Sequence, residues 1–110
     1  MRKIRLAVVG AGAFGRNHVR VASRAERVEL VGVVDLDRAR AEAAAAEFGC
    51  PVLQLADVPE LAEAAIIAVP TTAHASTGCP LLEAGVDGLV LALDGTANTI
   101  LYSITKEEIL

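Results

Sequence analysis

Six residues near the amino terminus, Gly10-Ala11-Gly12-Ala13-Phe14-Gly15, follow the pattern GxGxxG. The pattern alone is weak, but its setting adds to it. It follows the apolar run Ile4–Val9 and opens a segment with helical spacing. An acid, Asp35, stands 20 residues beyond Gly15 at the end of a second apolar run. A strand, a glycine turn, a helix and an acid at that distance are the fingerprint of a dinucleotide site. Each residue has a physical task. Gly10 permits the tight turn out of the strand. Gly12 has no Cβ, so a pyrophosphate can approach the backbone, and Gly15 lets the helix pack closely on the sheet. Ala13 and Phe14 lie in the first helical turn, whose free N–H groups and positive dipole end face the phosphates. Asp35 can accept hydrogen bonds from ribose hydroxyls, with Leu36 and Arg38 beside it as further candidate contacts. A carboxylate repels a 2′-phosphate, so Asp35 favours NAD over NADP. Arg38 and Arg40 soften that preference, because either can reach a phosphate. The alternative is a glycine turn that is only architecture, with Asp35 capping a loop. A methyltransferase loop would usually be spaced GxGxG, which the chain lacks.

These residues need elements to hold them. Ile4–Val9 reads as a buried parallel strand. A helix is expected from Ala13 to about Ala25, with Phe14, His18, Val21, Ala22 and Ala25 on one face. His18 reads as a packing or surface residue. Val28–Val34 is a second strand. Asp37 can cap a helix running to Phe48, closed by Gly49, with Ala39, Ala43, Ala46 and Phe48 on its packing side. Pro51–Leu53 is a short third strand, and Asp57–Glu63 a brief helix with Pro59 in its first turn. Residues 64–69 form a buried strand that stops at Pro70. A helix from Thr72 or Ala73 to Ala84 contains the awkward Pro80, and Asp87–Leu93 gives a fifth strand. Alternating strands and helices predict an α/β, doubly wound parallel sheet in three layers, with right-handed crossovers.

The chain of 110 residues is of one-domain size, and 54% of them are hydrophobic. Residues 1–93 are expected to form the dinucleotide-binding domain. Residues 94–110 form a divergent tail of the same domain: a turn at Asp94–Asn98, a strand over Thr99–Ile104, and a helix start at Thr105-Lys106-Glu107-Glu108. That start ends two residues later, which points to a truncated or joined sequence or to a frayed final turn. No apolar run approaches the roughly 18 residues of a membrane span, so no membrane is expected and a cytoplasmic setting is. Cys50 and Cys79 lie apart, without metal-ligand spacing, and read as buried free thiols; no metal is expected. Nine of the ten basic residues fall within residues 1–40, around the glycine motif, and ten of the fourteen acids fall after them. The basic part can steer an anionic ligand or is simply a mixed helix surface. No basic-aromatic pattern suggests nucleic acid.

Residues 4–90 resemble the N-terminal domain of the Gfo/Idh/MocA oxidoreductases. The resemblance rests on four blocks in order: Ile4 to His18, Val31-Gly32-Val33-Val34-Asp35, Ala68-Val69-Pro70-Thr71-Thr72-Ala73-His74, and Leu81-Leu82-Glu83-Ala84-Gly85-Val86. It implies NAD(P)-dependent oxidation or reduction of a sugar, a cyclitol or a similar substrate. It also implies that Val69, Pro70 and Thr71 lie along the cofactor toward the nicotinamide ribose, with His74 near them. The other reading of His74 is a helix-start residue that caps or faces solvent.

The family follows its fifth strand with Glu-Lys-Pro, whose lysine assists proton transfer. Aligned on Gly85-Val86-Asp87, those positions fall on Leu91, Ala92 and Leu93, none of which can do acid-base work. The family's substrate domain is not within this sequence either. The leading expectation is therefore an NAD(P)-binding domain with little or no turnover alone and no catalytic residue of its own. The alternatives are an enzyme completed by a partner chain and a non-catalytic or engineered scaffold or ligand-sensing module. Leu89, Val90, Leu91 and Ile100-Leu101-Tyr102 are expected to offer an apolar edge to a second copy, making a homodimer.

Overall fold

The computed structural model describes residues 2–92 and 101–105. Its elements are β1 (Ile4–Val9), α1 (Ala13–Arg24), β2 (Val28–Val34), α2 (Arg38–Phe48), α3 (Val58–Leu61), β3 (Ala64–Ile67), α4 (His74–Glu83), β4 (Gly88–Ala92) and β5 (Leu101–Thr105). They build one five-stranded sheet in the order β2-β1-β3-β4-β5. The first four strands are parallel.

The register fixes where the strands end. Val9 pairs with Val34 on one side and with Ile67 on the other. The residues that follow, Gly10, Asp35 and Ala68, therefore leave the sheet side by side. Gly10 N–H donates to the Val34 carbonyl at 2.7 Å and Ala68 N–H to the Val9 carbonyl at 2.7 Å, continuing the ladder one step past the strands. From β1 the chain crosses to β2 on one side, then returns to β3 on the other. The C-terminal ends of β1 and β3 thus flank a topological switch point, where open α/β sheets bind ligands.

Side chains alternate across the sheet and divide the core in two. Val8 and Val33 pack with Val19 of α1 and with Ala44 and Ala45 of α2. Ala7, Val9, Ala65 and Ile67 pack on the other face with Val58, Ala62, Leu81 and Leu82, from α3, its C-terminal end and α4. The fold is the expected three-layer α/β sandwich. Small residues let the helices sit close: α2 buries only alanines, Ala41, Ala44 and Ala45.

Several expectations need correction. Ala39, Ala43 and Ala46 are exposed, because alanine on every side of α2 gives the pattern no direction. On α1 the buried residues are Gly15, Val19 and Ala22, while Val21 is exposed. The close helix–strand contact at Gly15 sets that rotation, not the larger Phe14 and His18. Pro51–Leu53 is not a full strand: it makes a single parallel bridge, Val33 with Val52. The helix expected over Asp57–Glu63 is a 3-10 turn, Leu55–Asp57, followed by one α-turn. Cys50 and Cys79 are free but only half-buried.

The sheet is not wholly parallel. β5 runs antiparallel to β4, with Leu89 opposite Ile104 and Leu91 opposite Tyr102. The edge expected at Leu89–Leu91 is therefore covered by the chain's own tail strand. The turn at Asp94–Asn98, Leu93, Ile100 and the residues from Lys106 onward lie outside the described residues. No helix among the described residues is long and apolar enough to cross a membrane.

The opposite end of the sheet is tied by Glu63. Its carboxylate accepts from Arg5 N–H at 2.9 Å and pairs with the Arg2 guanidinium. Its backbone N–H donates to the Arg5 carbonyl, and its carbonyl accepts from the N–H groups of Asp87 and Gly88. The Arg5 N–H, followed by Arg2, holds the Glu63 carboxyl below the usual carboxylate range. A depressed native pKa means stability that is present above the unfolded value, near 4.3, and is lost as pH falls through the native one. Wild type should therefore lose more melting temperature on acidification below about pH 4.3 than Glu63→Gln does. Parallel acid profiles for the two proteins would contradict this. In the core, Ile67 is fully buried. Ile67→Ala should cost about 2–5 kcal/mol by urea denaturation, and a loss below about 1 kcal/mol would contradict the packing described.

Candidate functional site

Gly10 has φ of +106°, in the region that favours glycine, and a Cβ there would lie 2.5 Å from the Ala68 carbonyl oxygen. A Cβ on Gly15 would collide with the carbonyl of Gly10. These two glycines are required by the fold itself: one turns the chain beside β3, and the other seats α1 on that turn. Gly12 differs. Its nearest neighbour would be Arg40 Nη1 at 3.6 Å, an ordinary contact with the tip of a flexible side chain. The room above Gly12 is open space over the turn, which is what a ligand approaching the backbone needs.

Gly12 is the N-cap of α1. No side chain caps it, and the first turn carries no acid. The first helical bond runs from Arg16 N–H to the Gly12 carbonyl at 2.8 Å. The N–H groups of Ala13, Phe14 and Gly15 come before that bond and have no intrahelical acceptor. A cleft of about 580 Å³ opens here, between the ends of β1, β2 and β3. Its lining is mostly apolar, with Asp35 and Arg40 as the charged groups among the described residues that line it.

The Asp35 side chain is 7% exposed. Its Oδ2 accepts from Ala11 N–H at 2.6 Å, and its Oδ1 accepts from Asp37 N–H at 2.7 Å. Asp35 thus holds the glycine turn and the β2–α2 loop in register, the loop role weighed against ligand binding. The loop role leaves each carboxylate oxygen a second lone pair with which to accept another hydrogen bond. Arg40 Nη2 reaches Asp35 Oδ1 at 3.4 Å, and Arg40 Nε lies 3.6 Å from Asp37 Oδ2. Asp37 also caps α2, its Oδ1 accepting from the N–H of Ala39 and of Arg40.

Most of the residues expected from sequence meet in this cleft: Gly10, Gly12, Ala13, Phe14, Gly15, Asp35, Leu36, Val69 and Pro70 all line it. Leu36 is fully exposed at its rim. Arg38 and His74 are not among the described residues that line it. Arg38 turns onto the outer face of α2 and pairs with Glu42 at 3.0 Å. Thr71 opens the 3-10 turn Thr71–Ala73 beyond Pro70. His74 is buried at the start of α4, neither facing solvent nor lining the cleft, and its Nε2 has no partner among the described residues. Ala73 and Thr77 line the cleft from that segment instead. Leu55 and Ala68 were also missed, as was Arg40 as a lining residue. Ala68 follows from parallel register; Leu55 carries no local signal. His18 meets Phe14 edge-on, and burial holds its imidazole pKa below the ordinary value. No group of three or more metal-ligating side chains occurs among the described residues.

A family model described as "Oxidoreductase family, NAD-binding Rossmann fold", the Gfo/Idh/MocA family, matches residues 4–91. The chain belongs to this family. The inositol 2-dehydrogenase of Corynebacterium glutamicum (strain ATCC 13032) is 35% identical over 90 residues, which are 77% of this chain and 27% of that protein. Among solved structures, UDP-N-acetylglucosamine 3-dehydrogenase from Acidithiobacillus ferrooxidans superposes with a TM-score of 0.76 at 28% identity, over 83% of this chain and 29% of that one. The WlbA dehydrogenase from Bordetella pertussis, solved in complex with NADH and UDP-GlcNAcA, gives 0.71 at 31% identity, over 82% and 29%. The chain spans 27% of the length of the Corynebacterium relative.

The glycines separate by stability alone. Gly15→Ala should cost about 1–3 kcal/mol or more, because the collision is with backbone. Gly12→Ala should cost less than about 1 kcal/mol, the usual loss at an N-cap. Equal losses in urea denaturation would mean that the turn is not built as described.

Proposed function

We propose that this chain binds NAD(H) in the cleft at the ends of β1, β2 and β3, as the cofactor domain of an oxidoreductase acting on a sugar, a cyclitol or a related alcohol. The observation that carries the reading is the open space over Gly12 beside three unpaired helical N–H groups and the Asp35 carboxylate. The pyrophosphate would lie on the α1 N-terminus, where backbone donors and the helix dipole favour an anion. Asp35 would take the adenosine ribose, and Leu36 and Leu55 would cover its base from the rim. Val69 and Pro70 would run along the nicotinamide half.

Bound nicotinamide supplies a carbon that gives or takes hydride. This chain's own residues bind and orient it, and the apolar cleft wall excludes water. Rate also requires a substrate held in line and a group that moves its proton. Leu91, Ala92 and Leu93 stand where the family resemblance aligns its Glu-Lys-Pro, and none ionises. We therefore propose that the 110-residue chain binds cofactor with little or no turnover. Pairing of two copies along the outer edge of β5 belongs to the same proposal; light scattering that stays at one-chain mass across a concentration series would remove it.

Calorimetric titration with NADH should give saturable one-to-one binding. Gly12→Val should weaken it at least tenfold, about 1.4 kcal/mol, while the chain stays folded by circular dichroism. No saturable binding by the wild-type chain would overturn the proposal. Reduction of NAD by the chain with myo-inositol or a UDP-sugar at rates typical of enzymes, about 1 per second or more, would overturn its second half.

A further inference from the structure

Arg40 is the one cation among the described residues lining the cleft, and it is held by two carboxylates. Its Nη2 lies 3.4 Å from Asp35 Oδ1 and its Nε 3.6 Å from Asp37 Oδ2, while Nη1 sits over the glycine turn. Arg38, the other arginine at the start of α2, is paired with Glu42 and points away. Asp35 cannot turn aside, because both of its oxygens are held by backbone N–H groups of two loops.

From this arrangement we infer that Asp37, acting through Arg40, is a determinant of cofactor selectivity and sets the site against a 2′-phosphate. The inference rests on the NAD(H)-binding reading above. A 2′-phosphate brings between about 1.5 and 2 negative charges at neutral pH. It would meet two fixed carboxylates and a single guanidinium that both already hold. A 2′-hydroxyl adds no charge and can donate to a free lone pair of Asp35. The cation nearest the ribose therefore does not make this an NADP site, because its charge is already matched. Asp37 is the removable part of the group. Unlike Asp35 it makes no bond to the glycine turn, and asparagine can keep the Oδ1 acceptor that caps α2. Without the second carboxylate, Arg40 keeps one anionic partner and can turn toward a phosphate.

The test is titration of the full chain with NADH and with NADPH, comparing wild type, Asp37→Asn, Asp37→Asn/Arg40→Ala and Arg38→Ala. Wild type is expected to prefer NADH by tenfold or more. Asp37→Asn should narrow that ratio at least threefold by gaining affinity for NADPH, and adding Arg40→Ala should abolish the gain. Arg38→Ala should shift the ratio less than twofold. A wild-type chain that binds NADPH as tightly as NADH would overturn the inference, and so would a gain that survives loss of Arg40 or a ratio controlled by Arg38. Melting curves check each fold, and Asp37→Ser replaces Asp37→Asn if that variant does not fold. Absence of NADH binding by the wild-type chain is a different result: it removes the binding site itself.

Discussion

Asp35 is the hinge pin of the cleft. Its carboxylate accepts the N–H of Ala11 from one loop and the N–H of Asp37 from another, at 2.6 and 2.7 Å. Hydrogen bonds to a charged group are worth about 1.5–3 kcal/mol each, and here they join the glycine turn and the β2–α2 loop just past the last backbone bond between β1 and β2. Beneath them the backbone is packed without slack. Gly10 leans on the Ala68 carbonyl, and Gly15 rests on the Gly10 carbonyl. The open space over Gly12 exists because its two neighbouring glycines leave no other path for the chain. The geometry of the glycine turn and of the β2–α2 loop rests on this small cluster of close approaches.

The sequence revealed the parts of the site where one residue type has one physical use. A glycine at each of three positions, before a helix and after a strand, leaves few readings, and Asp35 at the end of the second strand narrows them further. The β-branched runs of β1 and β2 were legible for the same reason. Other parts carried no such mark. In α2, alanines occur on every side, so the helix phase could not be read, and with it went the distinction between Arg38 and Arg40. Two positions is more than half a turn of helix, enough to send one arginine over the cleft and the other toward Glu42.

Strand direction was equally hidden. Period-two alternation is the same in a parallel and an antiparallel strand, so a strand over Thr99–Ile104 is legible while its direction stays open between a further strand and a hairpin folded back. The strand runs Leu101–Thr105, antiparallel to β4. The bridge at Val52 was overread as a strand because Pro51-Val52-Leu53 has the composition of one. His74 opens α4 as expected, but it does so buried and not facing solvent. The smaller Ala73 and Thr77 face the cleft.

The turn around Gly12 is, on this reading, a working ligand site and not only a joint of the fold. Nitrogen-15 NMR of the full chain during titration with NADH tests it residue by residue. The largest amide shifts should fall at Gly12, Ala13, Phe14, Gly15 and Leu36, with the amides of Ala11 and Asp37 still protected from exchange because Asp35 holds them. A second groove, between α1 and α2, is lined by Arg16, Arg20 and Arg24. Shifts confined to Arg16, Arg20 and Arg24, with Gly12, Gly15 and Leu36 unmoved, would mean that the anion is drawn to surface charge alone. Either that pattern or an unchanged spectrum would contradict the account.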